Sequence, residues 1–418
     1  MRPAYASLAL VLCSATAAHA DWSQRTVAGM TVQLYTPTSV GSFPAGRGLM
    51  IGLHGCTQQA TALAQHGNWE SAAERRGVVV ALPQVPNGGV LAGCWDYYGA
   101  NHTRTTRHDG PVLQLVEALL ADHSLSIDPA QVYVAGLSSG AGEAMVLGCL
   151  APDVFAGVGI NAGPTVGTAS SQIATVSTDR QAGVSTCKTM AGAHVSSFDT
   201  QLVSIIAGTQ DFIVAQGYNA LNAEVMRAIY AGTGPELSSA AIDVPQMIGS
   251  VPQGTGTLWS DGSGPRVSLV MVQGMGHAFP AGNGTGAEMS FIAQRGPSWP
   301  DHLLDLFTEN NRRAAGARVD GGVVVPDAGN RPGTDAGAVH HDAGNAGSPD
   351  AGQDDAGSVH PNADGGLATS DAGKNEGAMS GGCACTAPGH HPLWALLPGL
   401  GLVLARRLRR RAIRNNAG

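Results

Sequence analysis

Two patterns of apolar residues alternate along residues 21–314. Continuous apolar runs are typical of strands buried on both faces of a sheet, and they lie at 49–53, 78–82, 131–135, 157–163, 202–208 and 267–272. Apolar residues at helical spacing occur between them, in 65–76, 112–120, 219–230 and 300–312. Residues 31–35 alternate apolar and polar, as a strand does. Strands alternating with helices predict an α/β fold: a mostly parallel sheet with helices on both faces.

The first 20 residues have the three parts of a secretory signal peptide. Arg2 is followed by the apolar run 8–12 and then by Ala18-His19-Ala20, a small-residue cleavage site. The apolar run is too short to span a membrane. We therefore expect cleavage after Ala20, export, and a folded α/β domain over 21–314.

Residues 315–382 differ in composition from the rest of the chain. Asp-Ala-Gly recurs irregularly between 327 and 373, with Pro, Asn and Ser between the copies and no aromatic residue. Such a segment buries too little apolar surface to offset its chain entropy, so it is predicted to be a disordered spacer. Calcium-binding repeats are the alternative, but the irregular spacing disfavours them.

The C-terminal region, 383–418, begins with Cys383-Ala384-Cys385, continues with the apolar run 392–405 and ends in an arginine cluster. It resembles the tripartite sorting signals of the MYXO-CTERM kind. That resemblance implies cell-surface sorting machinery as a partner, and a globular body tethered outside the cell. The alternative is a short tail anchor whose arginines stay on the cytoplasmic side.

Composition narrows the classes of partner. Only 13% of residues are charged, and the net charge is −8. A mildly acidic chain without a basic stripe is not expected to bind nucleic acid. We expect a monomer.

The predicted α/β domain contains four cysteines: Cys56, Cys94, Cys149 and Cys187. Four cysteines allow three pairings. In an exported protein we favour Cys56–Cys94 and Cys149–Cys187, which join cysteines close together in sequence. No Cys or His spacing indicates a metal site, and no cofactor is expected.

The chemistry is indicated first by Gly-Leu-Ser-Ser-Gly at 136–140, which follows a strand and precedes a helical pattern. A nucleophile elbow has this order, because its serine lies on a strained turn between strand and helix. The alternative is a Gly/Ser-rich turn without chemistry. The strand–turn–helix context favours Ser138 as a nucleophile.

A serine nucleophile needs a base and an acid that orients the base, in the chain order Ser, Asp or Glu, His. His277 follows the last predicted strand on a glycine-rich loop, and Asp211 follows the strand 202–208. Both positions are at strand C-terminal ends, where α/β sheets build their sites. Asp199 and Asp243 are alternatives in poorer positions. The oxyanion hole is predicted from the backbone N–H groups of Ser139 and Cys56, with His54 shaping the loop.

Four motifs in order resemble the polyhydroxybutyrate depolymerase family of esterases, which includes feruloyl and acetylxylan esterases. They are Leu-His-Gly-Cys-Thr-Gln at 53–58, Cys94-Trp95, the motif at 136–140, and Gly-Met-Gly-His-Ala-Phe-Pro at 274–280. The resemblance implies an α/β-hydrolase fold, Ser138 as nucleophile, Asp211 orienting His277, and Cys56 contributing to the oxyanion hole. Phe279 stands where the family usually has tryptophan.

We therefore hypothesise a secreted serine esterase whose substrate is a polyester or an acylated polysaccharide. Its cleft is predicted to be lined by the excursion 164–197 and by aromatic residues, namely Trp95, Tyr97, Tyr98, Trp259 and Phe279. The alternative from a different class is a non-enzymatic surface adhesin on a hydrolase scaffold.

Overall fold

The computed structural model describes residues 20–39, 45–284 and 291–314. Within these residues the strands are β1 (Trp22–Val27), β2 (Met30–Tyr35), β3 (Arg47–Leu53), β4 (Val78–Pro83), β5 (Ile127–Leu137), β6 (Gly157–Asn161), β7 (Leu202–Gly208), β8 (Ser238–Ile242), β9 (Gly249–Ser250), β10 (Gly254–Asp261), β11 (Gly264–Val272), β12 (Phe279–Pro280), β13 (Ile292–Ala293) and β14 (Gly296–Pro297).

The helices of the same residues are α1 (Ala60–His66), α2 (Trp69–Arg76), α3 (Asp109–Ala121), α4 (Ser139–Leu150), α5 (Arg180–Ala191), α6 (Gly217–Ala231) and α7 (Trp299–Asn310). Short 3₁₀ turns lie at Pro86–Gly88, Leu91–Gly93, His123–Leu125, Ser170–Gln172, Gly192–Asp199 and Val244–Gln246. All described residues belong to the first of the chain's two units, Met1–Pro332; the second, Gly333–Gly418, is outside the described residues.

Ten strands form one sheet in the order β1-β2-β4-β3-β5-β6-β7-β11-β10-β8. From β4 to β11 neighbouring strands run parallel, while β1, β2, β10 and β8 pair antiparallel at the two edges. The parallel pairs bring the carboxyl ends of β3, β5, β6, β7 and β11 to one edge of the sheet, here called the carboxyl edge. Loops at this edge are the usual place for an active site.

Both faces of the sheet are covered, which explains the continuous apolar runs. Leu49 and Ile51 pack with α3, α4, α5 and α6, whereas Met50 between them packs with α1, α2 and α7 on the other face. Successive strand residues point to opposite faces, so a strand covered on both sides is apolar throughout. The predicted α/β-hydrolase-like architecture, a mostly parallel sheet with helices on both faces, is confirmed.

Two details of the predicted elements are wrong. The helix predicted over 65–76 is two helices, because the chain turns at Gly67-Asn68, where Asn68 has a left-handed φ of 59°. Strands β8 and β10 were not predicted. They are outer antiparallel strands with no fully buried residue, so their sequences carry no apolar run.

The two disulfides have the favoured pairing, Cys56–Cys94 and Cys149–Cys187. The predicted signal peptide (except Ala20), the spacer at 315–382 and the sorting signal at 383–418 lie outside the described residues. Among the helices within the described ranges, none has the length and apolar character needed to cross a bilayer.

Candidate active site

Ser138 occupies a sharp turn between the end of β5 and the start of α4. Its φ is 58° and its ψ −117°, a backbone conformation rarely adopted by residues other than glycine. The Ser138 N–H donates to the carbonyl of Asn161 at the end of β6, at 2.9 Å. Such strain is maintained only by surrounding structure and is concentrated at functional sites. The turn has the geometry of a nucleophile elbow.

The two glycines of the motif are required by close backbone approaches. A Cβ on Gly136 would lie 2.8 Å from the Ala141 nitrogen across the turn, and a Cβ on Gly140 would lie 2.6 Å from the His54 carbonyl oxygen. Real Cβ atoms do not come this close to backbone atoms. Glycine at both positions therefore lets α4 begin directly against the end of β3.

Asp211 and His277 meet at the carboxyl edge. Asp211 follows β7 and His277 follows β11, and these strands are parallel neighbours. The His277 Nδ1 lies 2.8 Å from the Asp211 Oδ2, with the carboxylate fully buried and the imidazole 7% exposed. The two loops are also joined by a hydrogen bond from the Gln210 N–H to the Met275 carbonyl, at 2.9 Å. Nδ1 is therefore the protonated nitrogen, and Nε2 is left as the acceptor.

A second Asp–His pair lies beneath the site. His102 Nδ1 is 2.8 Å from Asp109 Oδ2, the same separation as in the first pair, but both side chains are fully buried. Sequence analysis did not find this pair. Because His102 is enclosed, it has no access to a substrate, whereas His277 keeps partial exposure. Accessibility therefore distinguishes the candidate base from a structural histidine.

Glu143, one turn along α4 from Ser138, faces Asp109 in the same buried region. Both oxygens of Glu143 and Oδ1 of Asp109 are buried without another hydrogen-bond partner. Burial raises the pKa of Glu143 well above its ordinary value, and the neighbouring Asp109 raises it further. A protonated Glu143 can donate to Asp109 Oδ1, a hydrogen bond that two carboxylates could not form.

This buried group continues into the loop between Cys94 and α3. Arg107 reaches His102 Nε2 at 3.3 Å and forms a two-pronged ion pair with Asp96. The N–H of Trp95 in this loop donates to the Ser139 hydroxyl at 3.3 Å. The buried acids thus stabilise a loop that contacts Ser139, the residue directly after Ser138.

The loop after β3 carries the predicted second oxyanion donor. The Gly55 N–H donates to the Gln58 side chain and the Thr57 N–H to the Ala92 carbonyl, at 2.7 and 2.9 Å. The Cys56 N–H between them, like the Ser139 N–H, has no acceptor within the described part of the chain. Both donors are therefore free to bind an incoming oxyanion.

His54 shapes this loop rather than transferring protons. Its Nε2 accepts the Val85 N–H at 3.1 Å, and its Nδ1 lies 2.8 Å from the Gly55 carbonyl. Burial lowers the pKa of the His54 imidazole. The ring is therefore neutral, with its proton on Nδ1. Its two nitrogens join the loop after β3 to the segment after β4.

Four of the five predicted cleft aromatics lie in the interior or away from His277. Trp95, Tyr97 and Phe279 are buried, because Trp95 lies under the oxyanion loop and Tyr97 packs on Gly142. Trp259 pairs with Val267 near the start of β11, at the opposite edge of the sheet from His277. Their place in the sequence did not reveal how tightly they pack.

Tyr98 is half-buried, and its ring is tilted by 47° against the Tyr97 ring at a centroid separation of 4.3 Å. The excursion 164–197 contains helix α5, which the Cys149–Cys187 disulfide ties to α4. Neither observation assigns them to the cleft.

Other apolar side chains are exposed at the carboxyl edge, and sequence analysis missed them. They are Leu91, Phe212, Ile213 and Phe291. The sequence signal that could have identified them is the apolar pair Phe212-Ile213, directly after Asp211. This pair lies in a loop beyond the strand 202–208, where no strand or helix pattern predicts that it is buried. A cavity of about 340 Å³ also opens beside the His277 loop, lined in part by Val251 and Met275.

Within the described residues no group of three or more His, Cys, Asp or Glu side chains is arranged to hold a metal ion.

Comparison with known proteins gives a consistent picture. Residues 31–230 match the family model "Esterase PHB depolymerase". A poly(3-hydroxybutyrate) depolymerase of Ralstonia pickettii is 38% identical over 324 residues, covering 73% of this chain and 64% of the relative. A poly(3-hydroxyalkanoate) depolymerase C of Paucimonas lemoignei is 30% identical over 254 residues, covering 58% of each chain. The chain thus spans less than two thirds of the length of these relatives.

Among solved structures, an acetyl xylan esterase from Aspergillus awamori superposes with a TM-score of 0.50 at 20% identity. The match covers 62% of this chain and 94% of that one. At this identity the likeness shows a shared fold.

Proposed function

The chain carries a domain of the esterase PHB depolymerase family, and from this we propose that it is a secreted serine esterase. Its proposed substrates are polyhydroxyalkanoate-type polyesters or their oligomers, since the more similar relatives are named for such polymers. The observation that carries the proposal is the Asp211–His277 pair at the carboxyl edge of the sheet. Ser138 lies at the same edge, on its strained turn.

Acylation begins with attack of the Ser138 hydroxyl on the ester carbonyl. His277 Nε2 accepts the hydroxyl proton, because Nδ1 already donates to Asp211 at 2.8 Å. The buried Asp211 carboxylate keeps this tautomer and stabilises the imidazolium that forms. The imidazolium then gives its proton to the departing alcohol, and an acyl-enzyme remains.

Charge on the carbonyl oxygen is stabilised by the N–H groups of Cys56 and Ser139. Each such donor typically contributes about 3–4 kcal/mol of transition-state stabilisation. Ser139 is the first residue of α4, so the helix N-terminus adds a favourable dipole. Water activated by neutral His277 then attacks the acyl-enzyme, and release of the acid regenerates Ser138.

The location of the protein is proposed from its ends and its disulfides. The predicted signal at 1–20 exports the chain, and both disulfides are of the kind that persists in an oxidising compartment. The C-terminal segment 383–418 would then engage the cell-surface sorting machinery, with 315–382 as the spacer. We propose a monomer that displays its site outward.

The test compares hydrolysis of p-nitrophenyl butyrate, a feruloyl ester, acetylated xylan and a polyhydroxybutyrate film by the purified chain. We expect hydrolysis of the butyrate ester and the film. Ser138→Ala is expected to lower the rate by at least about 1,000-fold. Ser263→Ala, an exposed serine in the β10–β11 turn, is the matched control and should retain the rate.

Covalent labelling with a fluorophosphonate probe tests the nucleophile separately. We expect wild type and Ser263→Ala to be labelled and Ser138→Ala not to be labelled. Absence of labelling in wild type would overturn the enzyme proposal and favour the surface adhesin. If the protein hydrolyses acetylated xylan or the feruloyl ester but not the film, the proposed substrate becomes an acylated polysaccharide instead of a polyester.

A further inference from the structure

Phe212 is the most exposed large apolar side chain in the described residues, with 88% of its surface accessible. It directly follows Asp211, the proposed catalytic acid. A single exposed apolar residue is ordinary on a protein surface, but a group of them beside a site indicates contact with an apolar ligand. The surroundings of Phe212 therefore decide its meaning.

The turn that carries Phe212 is rigid. Oδ1 of Asp211 accepts the N–H groups of Ile213 and Val214 at 2.9 and 3.1 Å, and Val214 is buried. Gln216 closes the turn by donating to the Thr209 carbonyl at 2.9 Å. Phe212 and the 43% exposed Ile213 are thus presented on a fixed surface, and the catalytic acid itself is part of the support.

A second aromatic ring stands beside His277. The Phe291 ring lies edge-on to the imidazole at a centroid distance of 6.1 Å and is 43% exposed. Its backbone has a φ of 63°, which is strained for a phenylalanine. The Phe291 carbonyl accepts the Phe279 N–H at 2.8 Å. The strained backbone is thus held in place by the core beneath it.

A third apolar side chain adjoins the oxyanion loop. Leu91 is 75% exposed on the turn Leu91–Gly93. The next residue, Ala92, accepts the Thr57 N–H, and the Cys56–Cys94 disulfide ties the same turn to the loop that carries the Cys56 N–H. Leu91 is therefore fixed relative to one of the proposed oxyanion donors.

These four residues, Leu91, Phe212, Ile213 and Phe291, are here called the apolar lip. The segments 88–95, 209–216 and 273–284 contain no Lys, Arg or Glu, and the one acid in them, Asp211, is buried. The segment that begins at Phe291 carries one exposed charge, Arg295, four residues further along the chain. An exposed apolar surface with so few charges suits an uncharged, water-insoluble partner.

We propose that the apolar lip is the surface by which this domain itself adsorbs to solid aliphatic polyester, placing ester bonds at the polymer surface against Ser138. The inference rests on the proposed esterase function and deepens it. A chain in a solid cannot diffuse into an enclosed pocket, so the enzyme must lie on the polymer with its site facing down. Apolar side chains around the site stabilise that contact by leaving water.

The composition of the lip favours polyester over polysaccharide. Leucine and isoleucine side chains form no hydrogen bonds with the hydroxyl groups of a sugar surface, but they pack well on methylene and methyl groups. The described tryptophans, which would stack on sugar rings, are buried or half-buried. The lip therefore fits an aliphatic, hydroxyl-poor surface.

The test uses the full exported chain with the double substitution Leu91→Ser and Phe212→Ser. Adsorption to polyhydroxybutyrate film is measured by quartz-crystal microbalance in a Ser138→Ala background, so that turnover does not erode the film. We expect adsorption to fall at least about tenfold, the effect of withdrawing two large apolar side chains from a contact. In the active enzyme the ratio of film hydrolysis to p-nitrophenyl acetate hydrolysis should fall by a similar factor.

Val195→Ser is the matched control. Val195 is 38% exposed on the turn Gly192–Asp199, which precedes the amino end of β7, away from the site. It should change neither adsorption nor the activity ratio. Ammonium sulfate should strengthen wild-type adsorption, as it does for apolar contacts, and sodium chloride should not weaken it.

Unchanged film adsorption in the double variant would overturn the lip proposal. Equal adsorption of wild type to insoluble xylan would overturn the proposed preference for polyester. If sedimentation shows that wild type is a dimer and the double variant a monomer, the lip is instead a contact between two copies of the chain. Failure of the esterase proposal gives a different result: wild type would not hydrolyse p-nitrophenyl acetate, whatever its adsorption.

Discussion

Asp211 illustrates how one side chain serves both fold and chemistry. Oδ1 binds the N–H groups that close its turn, while Oδ2 binds His277 Nδ1. A carboxylate with both oxygens occupied has one allowed orientation. The position of the imidazole is therefore coupled to the turn that presents Phe212.

Asp211→Asn separates these two roles. The amide oxygen can still accept the turn N–H groups, but the amide nitrogen cannot accept from Nδ1, so the wrong imidazole tautomer is favoured. We expect kcat to fall by about 10⁴-fold with a thermal midpoint close to wild type. Asp211→Ala should lose the rate and also lower the midpoint, because the turn loses its acceptor. A small rate loss in Asp211→Asn would contradict the assigned role.

Glu143 gives a prediction for the pH dependence of stability. Its pKa is raised in the folded state, first by burial and then by Asp109 and Asp96, with Arg107 acting in the opposite direction. The folded state then holds a proton that the unfolded state releases above its carboxyl pKa, about 4.3. This contribution to stability is complete below that pH and is lost as pH rises toward the raised pKa.

Glu143→Gln should therefore reduce the loss of stability as pH rises above the unfolded-state carboxyl pKa. Glutamine keeps a donor for Asp109 Oδ1 but cannot ionise. Urea unfolding from about pH 4.3 upward should show the free energy of unfolding falling less steeply in the variant than in wild type. Glu143→Ala, which leaves a cavity and an unpaired acid, should be less stable at every pH. Parallel pH curves for wild type and Glu143→Gln would refute the protonated assignment.

At the scale of elements, the elbow depends on the contact of α4 with the end of β3. Gly140 is the point of that contact, since its missing side chain lets the helix approach the His54 carbonyl. From His54 the chain continues directly into the loop that carries Cys56. A shift of the helix therefore moves the serine and both proposed oxyanion donors relative to one another.

Gly140→Ala is expected to inactivate the enzyme and to destabilise the fold, because a Cβ would lie 2.6 Å from the His54 oxygen and overpacking of this kind costs about 1–3 kcal/mol. Gly262→Ala is the control: no atom lies within 4 Å of its added Cβ. Thermal unfolding and p-nitrophenyl butyrate turnover measure the two effects. Wild-type turnover in Gly140→Ala would show that the elbow tolerates the shift.

The strands also show how much secondary structure the local sequence predicts. The continuous runs that became β3, β4 and β7 were identified because each is buried on both faces. The runs themselves contain the information, since a doubly covered strand has no polar side. Strand β8 is exposed along most of its length, and its formation depends on pairing with β10. Its sequence is therefore uninformative.

At the scale of the whole molecule, the two disulfides close chain loops of equal length but lie in different places. Each joins cysteines 38 residues apart, so the chain-entropy model assigns each about 4 kcal/mol. Cys56–Cys94 ties the oxyanion loop to the turn carrying Leu91. Cys149–Cys187 ties α4 to α5, at the far end of α4 from Ser138.

Removing each disulfide by paired Cys→Ser substitutions should therefore separate activity from stability. Both variants should lose similar unfolding free energy, measured by urea denaturation. Loss of Cys56–Cys94 should also lower kcat by at least about tenfold, because the Cys56 N–H loses its fixed position. Loss of Cys149–Cys187 should leave kcat near wild type at temperatures where the variant is folded. Equal kcat values for the two disulfide variants would show that Cys56–Cys94 has no particular role in catalysis.

By itself the sequence determined the alternation of strands and helices, the disulfide pairing favoured here, and the placement of Ser138, Asp211 and His277 at strand ends. These follow from local periodicity and from one geometric rule, that parallel strands end at a common edge. The expected fold class also predicted the candidate oxyanion donors, and the family resemblance implied Cys56 as one of them.

Only the tertiary structure decided which side chains are accessible. It enclosed His102 and left His277 partly open, although the two Asp–His pairs have the same separation. It buried Trp95, Tyr97 and Phe279 and exposed Phe212 instead. Burial depends on segments far apart in the chain meeting at one place, and no local pattern of residues carries that information.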